Sequence, residues 1–214
     1  MTIIALIGPR ASGKSTIGQI ISKKIGWKFV DFDKYMINYF KDEGFRLGFD
    51  PQKDGGYIYH LKKTKNIDDD QAWKEYYKVN NRELINFIDK NKSKNMVLDL
   101  GGRTVTKRKG EGDDELENIQ KKLKFALRAH AIVIYLSYSR FFHKKTVDIF
   151  FERERPRSVH DWANDEQLKE IILRDYKIAK SQRKFADYSF FSGRRTAHQI
   201  SEKIIWLLKR LGKV

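Results

Sequence analysis

The stretch Gly8-Pro9-Arg10-Ala11-Ser12-Gly13-Lys14-Ser15-Thr16 fits the pattern G-x-x-x-x-G-K-[ST] at every fixed position. Its neighbours are the ones the pattern requires. Ile3-Ile4-Ala5-Leu6-Ile7 before it is an unbroken apolar run, which reads as a buried strand, and Ile17 to Ile25 after it carries helical spacing. A glycine-rich turn between a strand and a helix lets successive backbone N–H groups point into one hollow, and the helix adds its positive end to the same place. Such a hollow binds phosphates. The segment from Gly8 through Arg10, Ala11, Ser12, Gly13 and Lys14 to Ser15 and Thr16 is therefore the expected nucleotide-binding loop, with Lys14 directed at the β- and γ-phosphates and the Ser15 hydroxyl at Mg²⁺.

Working outward, strand and helix signals alternate. Lys28–Asp31, Met96–Leu100 and Ala131–Leu136 read as further strands, and Tyr188–Phe191 as a fifth; an amphipathic stretch over 114–128 lies between the third and fourth. Thr196 is placed to cap a last helix whose Ile200, Ile204, Leu207, Leu208 and Leu211 face inward. Strands separated by helices predict a three-layer α/β/α fold around a five-stranded parallel sheet, with ligands at the carboxyl ends of the strands. Residues 41–70 are polar and poorly periodic, and they precede a helix over about 71–90; together they read as a substrate-side insertion. The segment 141–165 gathers Arg153, Arg155, Pro156 and Arg157 at a helix end and reads as a lid. The expected organisation is one domain over 1–214, with core 1–35, 93–140 and 166–214, insertion 36–92 and lid 141–165.

Composition narrows the class. The 214 residues are 40% hydrophobic and contain no cysteine, which excludes a disulfide framework and a thiolate zinc site. No apolar run approaches membrane-spanning length, so a soluble cytoplasmic protein without a membrane partner is expected. The net charge of +16 is spread over Lys23-Lys24, Lys62-Lys63, Lys107-Arg108-Lys109, Lys121-Lys122 and Lys144-Lys145 with acids between. That scatter reads as a solvated surface that steers anions rather than as a nucleic-acid face. The histidines at 60, 130, 143, 160 and 198 have no metal-ligand spacing.

Asp31-Phe32-Asp33 closes the second strand. Strand alternation would set both carboxylates on one side with Phe32 turned away, which suits a metal-and-substrate site. One acid can serve the Mg²⁺ shell and the other can accept the hydrogen bond of an attacking hydroxyl.

At this point the chain resembles the shikimate kinase family of phosphate-loop proteins. The resemblance rests on residues 4–16, on Gly26-Trp27-Lys28-Phe29-Val30-Asp31-Phe32-Asp33, on Val97-Leu98-Asp99-Leu100-Gly101-Gly102, on Arg155-Pro156, and on Ser192-Gly193-Arg194-Arg195, in the family's order. It implies an ATP- and Mg²⁺-dependent kinase whose acceptor hydroxyl is the 3-hydroxyl of shikimate. It also implies Asp31 in the Mg²⁺ shell, Asp33, Gly101 and Gly102 on the substrate, Arg155 closing from the lid on the transferring phosphoryl group, and Arg194 and Arg195 against the adenine.

The departures lie in the acceptor pocket. Where the family has Phe-Arg with a glutamate three residues on, this chain has Tyr77-Lys78 and Asn81, with Arg82 one turn beyond as compensation. The family's third glycine is Arg103, and its second substrate arginine falls on Ile178, so Arg174 is the nearest candidate. Asp99 adds a carboxylate where many phosphate-loop enzymes keep a metal-shell acid. Lys78, Arg82, Arg103 and Arg174 suit an anionic acceptor, with shikimate favoured and another acidic polyol or a nucleoside monophosphate as alternatives. A non-catalytic, nucleotide-responsive protein that holds nucleic acid is the competing class, and intact Asp31 and Asp33 argue against it. A monomer is expected.

Overall fold

The computed structural model describes residues 1–47, 56–101, 113–141, 144–157 and 164–214. Five strands, β1 (Ile3–Ile7), β2 (Lys28–Asp31), β3 (Met96–Asp99), β4 (Ala131–Ser137) and β5 (Tyr188–Phe191), form one parallel sheet in the order β2-β3-β1-β4-β5. The strand before the phosphate loop is thus central, paired with β3 on one side and β4 on the other. A strand covered on both faces must be apolar throughout, and all five residues of β1 are fully buried.

Successive residues of β1 serve opposite layers. Ile3, Ala5 and Ile7 pack into a cluster with Phe32, Met36 and Phe40 from α2 (Phe32–Leu47), Leu84 and Ile88 from α4 (Asp69–Asn91), and Leu123 and Leu127 from α5 (Asp114–His130). Ile4 and Leu6 pack on the other face with Ile17 and Ile21 of α1 (Lys14–Ile25) and Ile200, Ile204 and Leu208 of α8 (Ala197–Arg210). A third cluster joins α6 (Lys144–Glu154) to α7 (Asp165–Gln182) through Phe150, Phe151, Leu168, Ile172 and Tyr176, and Ala11 of the phosphate loop belongs to it. The two-helix arm is therefore packed directly on the loop.

The five strands expected from the sequence are all present, and capping chemistry sets two helix starts. Asp68 and Gln71 form a capping box at α4, and Thr196 and Gln199 form one at α8. One reading needs correction. The second carboxylate of Asp31-Phe32-Asp33 does not continue a strand, because β2 ends at Asp31 and α2 begins at Phe32. Phe32 is driven into the core, stacked on Tyr35, and Asp33 is carried round on the first helical turn. Within 41–70 the chain is described at 41–47 and 56–70. It holds the end of α2 and all of α3 (Gly56–Lys65), whose Tyr57 stacks on Phe40 at 4.3 Å between ring centres.

The crossing of loop and sheet leaves no room at Gly8, whose φ of +142° lies in the region that disfavours side chains. A methyl there would overlap the Leu136 carbonyl oxygen and sit 3.0 Å from its carbon. Gly8→Ala is expected to cost about 3 kcal/mol of stability, seen as a lower urea midpoint with an unchanged slope. A wild-type midpoint would contradict this packing.

Candidate active site

Three parallel strands end side by side and deliver the site. Asp31 pairs in register with Asp99, and Asp99 pairs with Leu6 just before the loop, so the carboxyl ends of β2, β3 and β1 bring two acids and the phosphate loop to one edge. A cavity of about 290 Å³ opens there. Arg10, Ala11, Ser12, Gly13, Lys14, Ser15, Thr16, Asp31, Asp33, Asp99 and Gly101 line it, as do four residues the sequence reading did not select: Lys34, Ile37, Glu154 and Asp175.

The loop is built to receive an anion. Ala11 (φ +58°) and Gly13 (φ +91°) take left-handed backbone conformations that curl the chain, and α1 starts at Lys14 with no side-chain cap and no acid in its first turn. Its first N–H groups therefore face the cavity without an internal competitor. Lys14 is buried, and its Nζ donates to the carbonyls of Gly8 at 3.1 Å and Pro9 at 3.0 Å, which holds the ammonium across the loop.

The Ser15 hydroxyl donates to Asp99 Oδ2 at 2.6 Å, and Asp99 is 5% exposed. Among the described residues its other oxygen, Oδ1, has no hydrogen-bond partner. A buried carboxylate oxygen without a donor is a place for a cation. The oxygen donors Ser15, Asp31 and Asp99 fit Mg²⁺, which takes a few protein oxygens and completes its shell with water and phosphate. No group of three or more acids or histidines among the described residues encloses a metal without such help.

Electrostatics follow from this crowding. Burial pushes the Asp99 carboxyl up to about 6; the Lys14 charge and the Ser15 hydrogen bond oppose the rise, while Asp33 and Asp31 add to it. Asp33 is also raised, first by desolvation in the walls of the cleft although water reaches it through the mouth, and then by Asp31; Lys14 and Arg10 hold it down. Because the folded pKa of Asp99 lies above the unfolded value, the folded chain keeps the extra proton between them. Stability therefore falls as pH rises from about 4 to about 6, by about 3 kcal/mol in total. Asp99→Asn is expected to raise the melting temperature at pH 7 in the absence of metal, with the gain disappearing near pH 4. An equal change at both pH values would contradict the buried-charge origin.

Arg10 is gripped from the arm: Glu154 of α6 lies 3.2 Å and Asp175 of α7 3.6 Å from its guanidinium, and both carboxylates are almost fully buried. Arg153 donates to the Ala11 carbonyl at 3.2 Å. The remaining sequence-selected residues are elsewhere. Gly8 lies beneath the loop and does not line the cavity. Lys78 on α4 is buried against Glu75 at 2.9 Å, Asp113 at 2.9 Å and Glu115 at 3.0 Å. Burial opposes its charge, but the hydrogen bonds to the three acids outweigh that and raise its pKa. Arg82 pairs with Glu115. Arg155, in a short 3-10 turn after α6, points to Asp165 at 3.4 Å and covers the Phe151 ring. Arg174 is exposed on α7, and Arg194 and Arg195 are exposed beyond β5, where Arg195 donates to the Phe191 carbonyl at 3.3 Å. Gly102 and Arg103 lie outside the described residues.

Comparison with known proteins agrees with this layout. The family described as Shikimate kinase matches residues 10–44, which hold the loop from Arg10 onward, Asp31, Asp33 and most of α2. A shikimate kinase of Persephonella marina is 27% identical over 210 residues, 96% of this chain and 98% of its own. The solved shikimate kinase of Acinetobacter baumannii, in complex with shikimate, superposes with a TM-score of 0.62 at 19% identity over 98% of this chain and 94% of that one. A gluconokinase of Sinorhizobium meliloti 1021 shares the fold with a TM-score of 0.52, 16% identity, and coverage of 98% and 92%. In its loop, its sheet order and the relatives that match it, the chain is similar to shikimate kinases, and its fold is that of the phosphate-loop kinases.

Proposed function

We propose that the protein uses ATP and Mg²⁺ to phosphorylate the 3-hydroxyl of shikimate, as one domain over 1–214 with an insertion at 36–92 and a lid at 141–165. The observation that supports this best is the convergence of the loop, Asp31, Asp99 and Asp33 on one cavity with Gly101 beside them. The acceptor hydroxyl oxygen would bond to the γ-phosphorus as the bond to the β,γ-bridging oxygen breaks, releasing ADP. Asp33 would accept the hydroxyl proton, and its raised pKa makes it the better acceptor for that proton. Lys14 and the N–H groups of the loop would hold the charge that gathers on the phosphoryl oxygens. Ser15, Asp31 and Asp99 would hold Mg²⁺, which when bound neutralises phosphate charge.

Arg155 would complete the site only after its pair with Asp165 breaks and the arm advances, and Arg194 and Arg195 would flank the adenine. No helix among the described residues is long and apolar enough to cross a membrane. The shared fold of the Sinorhizobium gluconokinase keeps an acidic polyol as the second reading. Comparing kcat/KM for shikimate, gluconate and a nucleoside monophosphate tests the choice: shikimate should lead by at least about tenfold, and a lead for either other acceptor would replace it.

A further inference from the structure

An anionic acceptor loses its water on entering the cavity and needs a cation in return. The lysine that the family resemblance offers for this, Lys78, already has three carboxylate partners, and Arg82 has one of them. Neither lines the cavity. Three basic residues do. Arg10 is held by Glu154 and Asp175, and Lys14 by the loop carbonyls. The third is Lys34, and among the described residues its ammonium has no ion pair.

The position of Lys34 is unusual on local grounds. It sits in the first turn of α2, where the helix dipole disfavours a positive charge. Its backbone N–H donates to Asp31 Oδ1 at 3.1 Å, which ties the point where its side chain leaves the helix to the acid at the end of β2. One turn on, Ile37 is 52% exposed yet lines the same cavity. Residues three apart share a helix face. The wall next to Asp33 therefore presents a carboxylate, a free cation and an apolar surface in that order, while Gly101 faces Asp33 so closely that a methyl on it would lie 2.7 Å from Oδ2.

We propose that Lys34 recognises the acceptor's anionic group and Ile37 covers an apolar face of its carbon skeleton, so that specificity for an acidic polyol resides on α2 and not on α4. This rests on the reading of the cavity as a kinase site for an anionic alcohol. A lysine is a compact charge on a flexible stem without the fork of a guanidinium, so the pocket selects for charge more than for carboxylate shape.

The test is steady-state kinetics of wild type, Lys34→Ala and Lys34→Arg with shikimate and with its uncharged methyl ester, and with ATP varied at saturating acceptor. Lys34→Ala should raise the KM for shikimate by about tenfold or more and leave the KM for the ester and for ATP within about twofold, and Lys34→Arg should recover most of the loss. Equal rises for acid and ester would assign Lys34 to packing. A rise in the ATP KM would assign it to the nucleotide, and a tenfold loss in Lys78→Ala with none in Lys34→Ala would return the role to α4. Each of these overturns the proposal while leaving the kinase reading intact. A wild type that phosphorylates neither shikimate nor gluconate overturns the acceptor reading on which it stands.

Discussion

Lys14→Ala should reduce turnover by on the order of 10³ while the chain stays folded, because the lost ammonium is aimed at charge that develops only as the phosphoryl group moves. Lys14 itself lines the open cavity, so water can follow into the space it leaves and reach the carbonyls of Gly8 and Pro9, and the cost in stability should be small. The same substitution removes the charge that holds down both Asp33 and Asp99, so their pKa values should climb further and the residual activity should shift to higher pH. Measuring kcat across pH in a variant with a wild-type melting curve checks both points. Near-native turnover, or a reduced rate with no pH shift, would contradict the role of Lys14 at the centre of the cavity. Lys14→Arg should not restore the rate, since a forked guanidinium cannot occupy the space between the loop carbonyls.

Asp33→Asn should lower kcat for the acceptor by about 10² to 10⁴ and leave the ATP KM nearly unchanged, because an amide keeps the shape of the side chain but cannot take the hydroxyl proton. Gly101→Ala provides a second approach to the same residue. The added methyl falls on the Asp33 carboxylate and must displace it, so this variant should lose acceptor turnover with the aspartate still present. If Asp33→Asn and Gly101→Ala both weaken ATP binding and spare acceptor turnover, Asp33 belongs to the nucleotide side. The contrast with Asp31→Asn, expected to alter Mg²⁺ dependence first, separates the two acids.

The parts of this site that are legible in the sequence are those whose geometry is local. The phosphate loop is one continuous segment between an apolar strand and an amphipathic helix, and Asp31 and Asp99 each end a short strand that the run of branched residues announces. Parallel pairing then aligns them without further information. The α2 helix was equally legible: Phe32, Met36 and Phe40 recur every four residues and all three are buried. Treating Asp33 as the end of a strand hid that period, and with it Lys34 and Ile37 on the cavity wall.

Other features depend on long-range contact, and no local pattern carries them. Asp113 and Glu115 reach Lys78 from the start of another helix, so a residue that the family resemblance assigns to the acceptor ties α4 to α5. Glu154 and Asp175 meet Arg10 from two different helices of the arm, and neither belongs to a motif itself. Arg155 fits a lid arginine by its neighbour Pro156, yet its charge is directed at Asp165, and it is Arg153 that touches the loop.

The most direct measurement is phosphorus NMR of wild-type protein incubated with ATP, Mg²⁺ and shikimate, with matched samples lacking shikimate or carrying Lys14→Ala. A new phosphomonoester signal from a phosphate on the 3-oxygen of shikimate is expected, appearing in step with ADP, absent without shikimate and all but lost in the variant. ADP formation that does not depend on shikimate, or the absence of a shikimate phosphomonoester while another acceptor is phosphorylated, would contradict it.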